Sequence, residues 1–124
     1  MNELILAFNA AGIRYLLVGG QAMRLAGMPR FSMDWDFFIP PRGENFIQTY
    51  QTCWGILQFH LGLPGVPRFD EAEKSAVIRH SEQGTPVKCL SGIQMLAAKR
   101  AADRPQDQAD IAFLEELQRL GKIS

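Results

Sequence analysis

The sequence has no excess of charge of either sign: 13 lysines and arginines stand against 13 aspartates and glutamates. That balance excludes a global field able to recruit nucleic acid or an anionic membrane, so such a partner must be met by a local patch. Long apolar runs are missing too, and no stretch approaches the ~18 uncharged apolar residues of a membrane span. The opening MNELILAFNAAG has no basic region and is interrupted by Glu3 and Asn9, unlike a secretion signal. Cysteine is scarce. Cys53 and Cys89 stand far apart without CxxC spacing, as packing residues in a reducing, cytoplasmic setting would. Repeats and low-complexity linkers are absent as well. What remains, 124 residues of which 47% are hydrophobic, is expected to form a single domain over residues 1–124 with a real core.

The informative stretch is YLLVGGQAMRLAGMPRFSMDWDFFI, residues 15–39. It reads as strand, glycine turn, short helix, loop and second strand. Tyr15 to Val18 is an apolar strand, and Gly19-Gly20 lets the backbone turn sharply with amide N–H groups uncovered. The helix, roughly Gln21 to Leu25, is stopped by Gly27 and Pro29. Ser32 to Ile39 then reads as a strand whose alternation puts Met33, Trp35, Phe37 and Ile39 on one face and Asp34 and Asp36 on the other. Two adjacent acids on one strand face repel, and a divalent cation between them is the best explanation of the pair.

Around this unit, Leu4, Ile5, Phe8 and Ala11 predict an N-terminal helix capped by Asn2 and closed by Gly12. Pro40-Pro41 ends the second strand. Gly43 to about Gly55 is expected to be helical, from the spacing of Phe46, Ile47, Tyr50, Cys53 and Trp54. Ile56 to Leu61 reads as a strand with Gln58 and His60 on one face, followed by a loop over 62–67. A helical turn over Asp70–Ala76 and a hairpin of Val77–Ser81 with Thr85–Leu90 come next. Ser91 and Gln94 form a capping box for a helix through about Ala102. Pro105 opens the last helix, with Asp107 and Asp110 near its positive end and a core stripe of Ile111, Leu114, Leu117 and Leu120. The whole is expected to be an α/β (α+β) domain, a small mixed sheet flanked by helices.

Gly19, Gly20 and Ala22, a short helix, then Pro29, Arg30, Ser32, Asp34 and Asp36 resemble the signature of the minimal nucleotidyltransferases. These belong to the DNA polymerase β-like superfamily and include the toxin-type branch of abortive-infection systems. The segments LPGVPRFDEA, TPVKCL, SGIQMLAAKR and ADRPQDQADI resemble the same branch, so the likeness covers roughly residues 13–118. It implies a nucleotidyltransferase fold and metal-dependent transfer of a nucleoside monophosphate from an NTP to a tRNA, protein or small-molecule acceptor. Asp34 and Asp36 would hold Mg²⁺ or Mn²⁺. Gly19, Gly20, Arg30, Ser32 and Lys99 would meet the nucleotide, and Asp107 matches a further polar position. One departure stands out. Where the family carries a third carboxylate, this sequence has His60, a possible general base but a poor ligand for a second hard cation.

Plain readings exist beside these. Lys99 and Arg100 suit the C-terminal end of a helix, and Asp103, Asp107 and Asp110 suit a helix start. Trp35, Trp54 and the 8 phenylalanines suit a core. Three functions therefore follow: an active nucleotidyltransferase, a degenerate relative that binds nucleotide or metal without turnover, and a partner module such as half of a toxin–antitoxin pair. Small size leaves room for a protein partner or a homo-oligomer to complete the acceptor site, and the neutral charge argues against a long nucleic-acid acceptor.

Overall fold

The structure, a computed structural model, describes residues 2–29, 31–32, 34–41, 47–53 and 55–123, with the backbone alone for 47–51. In chain order these form α1 (Asn2–Ala10), β1 (Leu16–Val18), α2 (Gly19–Leu25), β2 (Asp34–Phe38), β3 (Ile47–Thr52) and β4 (Gly55–His60). Then follow α3 (Phe69–Lys74), β5 (Val77–His80), β6 (Pro86–Cys89), α4 (Gly92–Ala102), a 3-10 turn (Pro105–Asp107) and α5 (Gln108–Arg119). The strands make one six-stranded sheet in the order β3-β4-β2-β1-β6-β5. Pairs β1–β6 and β2–β4 are parallel and the other three antiparallel, so the sheet is mixed, as the sequence predicts.

Burial explains the order. Leu16, Leu17 and Val18 are all buried, the continuous apolar run of a strand covered on both faces. On β2 the two faces receive different partners. The Phe37 ring meets Phe8 of α1 at 5.4 Å, Tyr15 at 5.9 Å and Phe59 of β4 at 5.5 Å. Phe38, facing the opposite way, meets Phe69 of α3 at 5.3 Å. Helix α1 therefore covers one face and α3 the other. Asn2 does not cap α1 from outside. It is the first helical residue, and its Oδ1 accepts from the hydroxyls of Ser81 (3.2 Å) and Thr85, tying α1 to the β5–β6 hairpin. Among the described residues no helix is long and apolar enough to cross a membrane.

The largest correction concerns the helix expected from Gly43 to Gly55. Residues 42–46 and Trp54 lie outside the described residues, but 47–52 form strand β3, paired with β4 from Ile47↔His60 to Thr52↔Gly55. Gly55, at φ +110°, and the Thr52 hydroxyl donating to Gly55 O at 2.8 Å build the tight turn that makes this pairing possible. Ile47, Thr49, Tyr50 and Thr52 also favour a pleated strand, and cross-strand pairing overrides a helical spacing of apolar residues. Smaller shifts occur elsewhere: α2 begins at Gly19 itself, and β2 is shorter at both ends than expected. Leu120 is exposed, so the α5 stripe rests on Leu114 with Ile111 and Leu117 half-buried. The Ser91 cap holds, its hydroxyl accepting from Gln94 N at 3.2 Å, but among the described residues Gln94 does not return the bond and its Oε1 has no partner.

Candidate functional site

Strand β1 ends where β2 begins its acidic half. Val18 pairs with Asp36, so the chain leaves the sheet at Gly19 directly beside that carboxylate. Gly19 has φ +71°, and a Cβ built there would lie 2.6 Å from Asp36 Oδ2. Only glycine combines this backbone with this approach. Asp36 Oδ1 is held from the other side, 2.9 Å from His60 Nε2. A carboxylate can only accept, so Nε2 carries the proton of this hydrogen bond. The register accounts for this contact: β2 and β4 run parallel with Asp36 opposite Gln58 and Phe38 opposite His60, so Gln58 and His60 share the face of Asp34 and Asp36. Asp34 is exposed, while Asp36 and His60 are half-buried.

Above this face lies a cleft of about 500 Å³, a size in the range of small-molecule sites. One wall carries Gly19, Gly20, Ser32, Asp34, Asp36 and His60, and the other carries Lys99, Arg104, Asp107 and Asp110. Every described residue singled out from the sequence as a site residue thus lines one cavity. Arg30 lies outside the described residues.

The second wall is an ion cluster. Lys99 Nζ, on α4, stands 3.3 Å from Asp107 Oδ1 and 3.0 Å from Asp110 Oδ2. Both aspartates stand at the start of α5, as the sequence predicts, yet their side chains are buried (1% and 2% exposed) rather than solvated. Arg104 grips Asp107 side-on, with Nε to Oδ2 at 2.8 Å and Nη2 to Oδ1 at 3.0 Å, and its backbone N donates to Oδ2 at 3.3 Å. The Arg104 hydrogen bonds, helped by Lys99, hold the Asp107 carboxyl down at about 2 against the opposing effect of its burial. The same bonds raise the Arg104 guanidinium above its ordinary range, and Asp36 adds to that as a nearby charge.

Sequence reasoning missed three residues here. Gln21 is buried on α2; its Nε2 donates to Ser32 O at 2.7 Å and its Oε1 accepts from Arg24 Nη1 at 2.6 Å, which pins the Ser32 loop to the cleft. Arg104 and Asp110 were legible only as loop and helix charges: Asp110 meets Lys99 through a tertiary contact between α4 and α5, and Arg104 joins the cluster through Asp107.

A divalent cation is implied for Asp34 and Asp36, and the residues present fit one. Within the second wall two cations offset two carboxylates, so Asp34 and Asp36 set the negative character of the cleft. Among the described residues no group of three or more His, Cys, Asp or Glu is placed to hold an ion. Two carboxylates beside an open cavity suit a hard cation that takes its other ligands from phosphate oxygens and water, as Mg²⁺ does. The His60 ring nitrogen nearest this pair is hydrogen-bonded to Asp36.

No model of a known protein family matches this chain, and no curated protein matches it.

Proposed function

We propose that the chain is a small nucleotidyltransferase-like protein that transfers a nucleoside monophosphate from an NTP to an RNA, protein or small-molecule acceptor. The observation that supports this best is the gathering of Gly19, Asp34, Asp36 and Lys99, residues from separate elements, around one cleft. Asp34 and Asp36 would hold a Mg²⁺ or Mn²⁺ ion, which when bound supplies charge neutralisation for the triphosphate. Gly19 keeps the Asp36 carboxylate close to the turn, His60 orients it, and Gln21 fixes the loop that brings Ser32 to the cleft. Leu63 and Pro64 add apolar surface to the lining of the same cleft.

A second reading, nucleotide or metal binding without turnover, is favoured by His60. Its Nε2–H is engaged by Asp36, so the acceptor hydroxyl is left without the third carboxylate that the resemblance leads one to expect. Label transfer from each α-³²P-NTP with Mg²⁺ or Mn²⁺ into lysate RNA, protein and small molecules separates the two. The enzyme reading expects label with wild type and none with the Asp34→Asn, Asp36→Asn double variant. Absence of label with wild type, in the presence of Mg²⁺-dependent nucleotide binding, would leave the binding reading in its place.

A further inference from the structure

Lys99 and Arg104 both line the cleft, but their surroundings differ in a way that bears on which one meets the ligand. The Lys99 side chain is 16% exposed, and its ammonium is shared between two buried carboxylates. Withdrawing it toward a ligand leaves Asp107 and Asp110 with less compensation in a buried place, which is costly. Arg104 is 55% exposed. A guanidinium carries five N–H donors in a rigid plane. Asp107 takes the Nε side of that plane, and among the described residues nothing accepts a hydrogen bond from Nη1. The opposite edge is therefore a second fork, already oriented. Its backbone is fixed as well: Asp103 before it takes the left-handed conformation at φ 48°, and Pro105 after it opens the 3-10 turn.

We propose that Arg104 is the anion-binding residue of the cleft, taking the phosphate groups of a nucleoside triphosphate, that Asp107 positions it, and that Lys99 is a structural counter-ion. A planar fork with a free edge matches two oxygens of one phosphate, which a lysine ammonium does not. This inference rests on the nucleotide reading above and moves the phosphate contact expected of Lys99 to Arg104.

Titration calorimetry with the four NTPs and with inorganic tripolyphosphate, each with Mg²⁺, tests it on wild type, Arg104→Gln, Arg104→Lys and Lys99→Gln. Thermal melts check that each variant is folded. Loss of a charge-assisted hydrogen-bond pair predicts roughly ten- to hundredfold weaker binding for Arg104→Gln. The loss should be alike for all NTPs and for tripolyphosphate, since the contact is to phosphate, and Arg104→Lys should recover part of it. Lys99→Gln should lower the melting temperature yet bind tripolyphosphate, when folded, within about threefold of wild type. Wild-type affinity in Arg104→Gln, or lost binding in a folded Lys99→Gln, overturns the assignment while the nucleotide reading stands. No binding of any probe by wild type overturns both. Weakening confined to one NTP, with tripolyphosphate unaffected, would assign Arg104 to the base instead and also overturn it.

Discussion

Asp36 is held from two sides, by the imidazole of His60 and by the cradle that Gly19 leaves open, and each contact can be tested singly. Gly19→Ala puts a methyl 2.6 Å from Asp36 Oδ2 at φ +71°. The strained backbone should cost about 1–3 kcal/mol, read as a lower urea midpoint, and the displaced carboxylate should remove Mg²⁺-dependent nucleotide binding. Unchanged binding in a folded Gly19→Ala would show that the position of Asp36 does not matter. His60→Asp supplies the third carboxylate and should tighten Mn²⁺ binding, measured by the free-ion electron spin resonance signal, whereas His60→Ala should not. Equal affinities in the two variants would exclude His60 as the residue that limits metal binding.

Asp107 gives a pH dependence of definite sign. Its carboxyl is held at about 2 in the folded chain, against about 3.9 when unfolded. A group depressed on folding contributes stability that is complete above the unfolded value and is lost as pH falls toward the folded one. The melting temperature of wild type should therefore exceed that of Asp107→Asn at pH 6, and the gap should close between about pH 4 and pH 2. A gap that stays constant down to pH 2 would mean that the ion cluster does not hold Asp107 charged. In the core, burial pushes the Cys89 thiol up to about 12. Exposed Cys53 should accordingly react with a thiol reagent in the native protein and Cys89 only on unfolding.

At the scale of elements, what could be read from the sequence was what local chemistry decides. Strand alternation placed Asp34 and Asp36 on one face, and the same rule paired Gln58 with His60 on theirs. The Ser91 cap and the β5–β6 hairpin follow from side chains a few residues apart. The segment around β3 failed because its apolar residues recur at a helical interval, while the turn at Gly55 and the pairing with β4 decide its conformation. Asp107 and Asp110 were legible as the helix-start acids that they are, but only the packing of α4 on α5 reveals Lys99 between them. Arg104 had a faint local signal, the i, i+3 spacing to Asp107, which fits a surface pair equally well. The aromatic cluster joining α1 to the sheet offers a stability test at this scale. Phe37→Ala removes a fully buried ring in contact with three others and should cost about 3–5 kcal/mol in urea unfolding; a loss below about 1 kcal/mol would contradict the placement of α1 on that face.

Across the whole molecule, the sheet acts as a platform with an apolar side and a side that turns polar at its centre. Strand β1 lies next to β2 and β6, so the turns into α2 and α4 emerge near the acidic half of β2, and the ion cluster of α4 and α5 closes the cleft from above. With no net charge on the chain, affinity for a polyanionic ligand has to arise from a local patch, and the proposed nucleotide reading assigns it to this cleft, through a cation at Asp34 and Asp36 and the guanidinium of Arg104. The most direct measurement is titration calorimetry of wild type with each NTP, with Mg²⁺ and with EDTA, beside the Asp34→Asn, Asp36→Asn double variant. Binding that needs Mg²⁺ and is lost in a folded double variant is the expected result. No NTP binding by wild type, or binding indifferent to Mg²⁺ and to both aspartates, would contradict the assignment of this cleft as a nucleotide site.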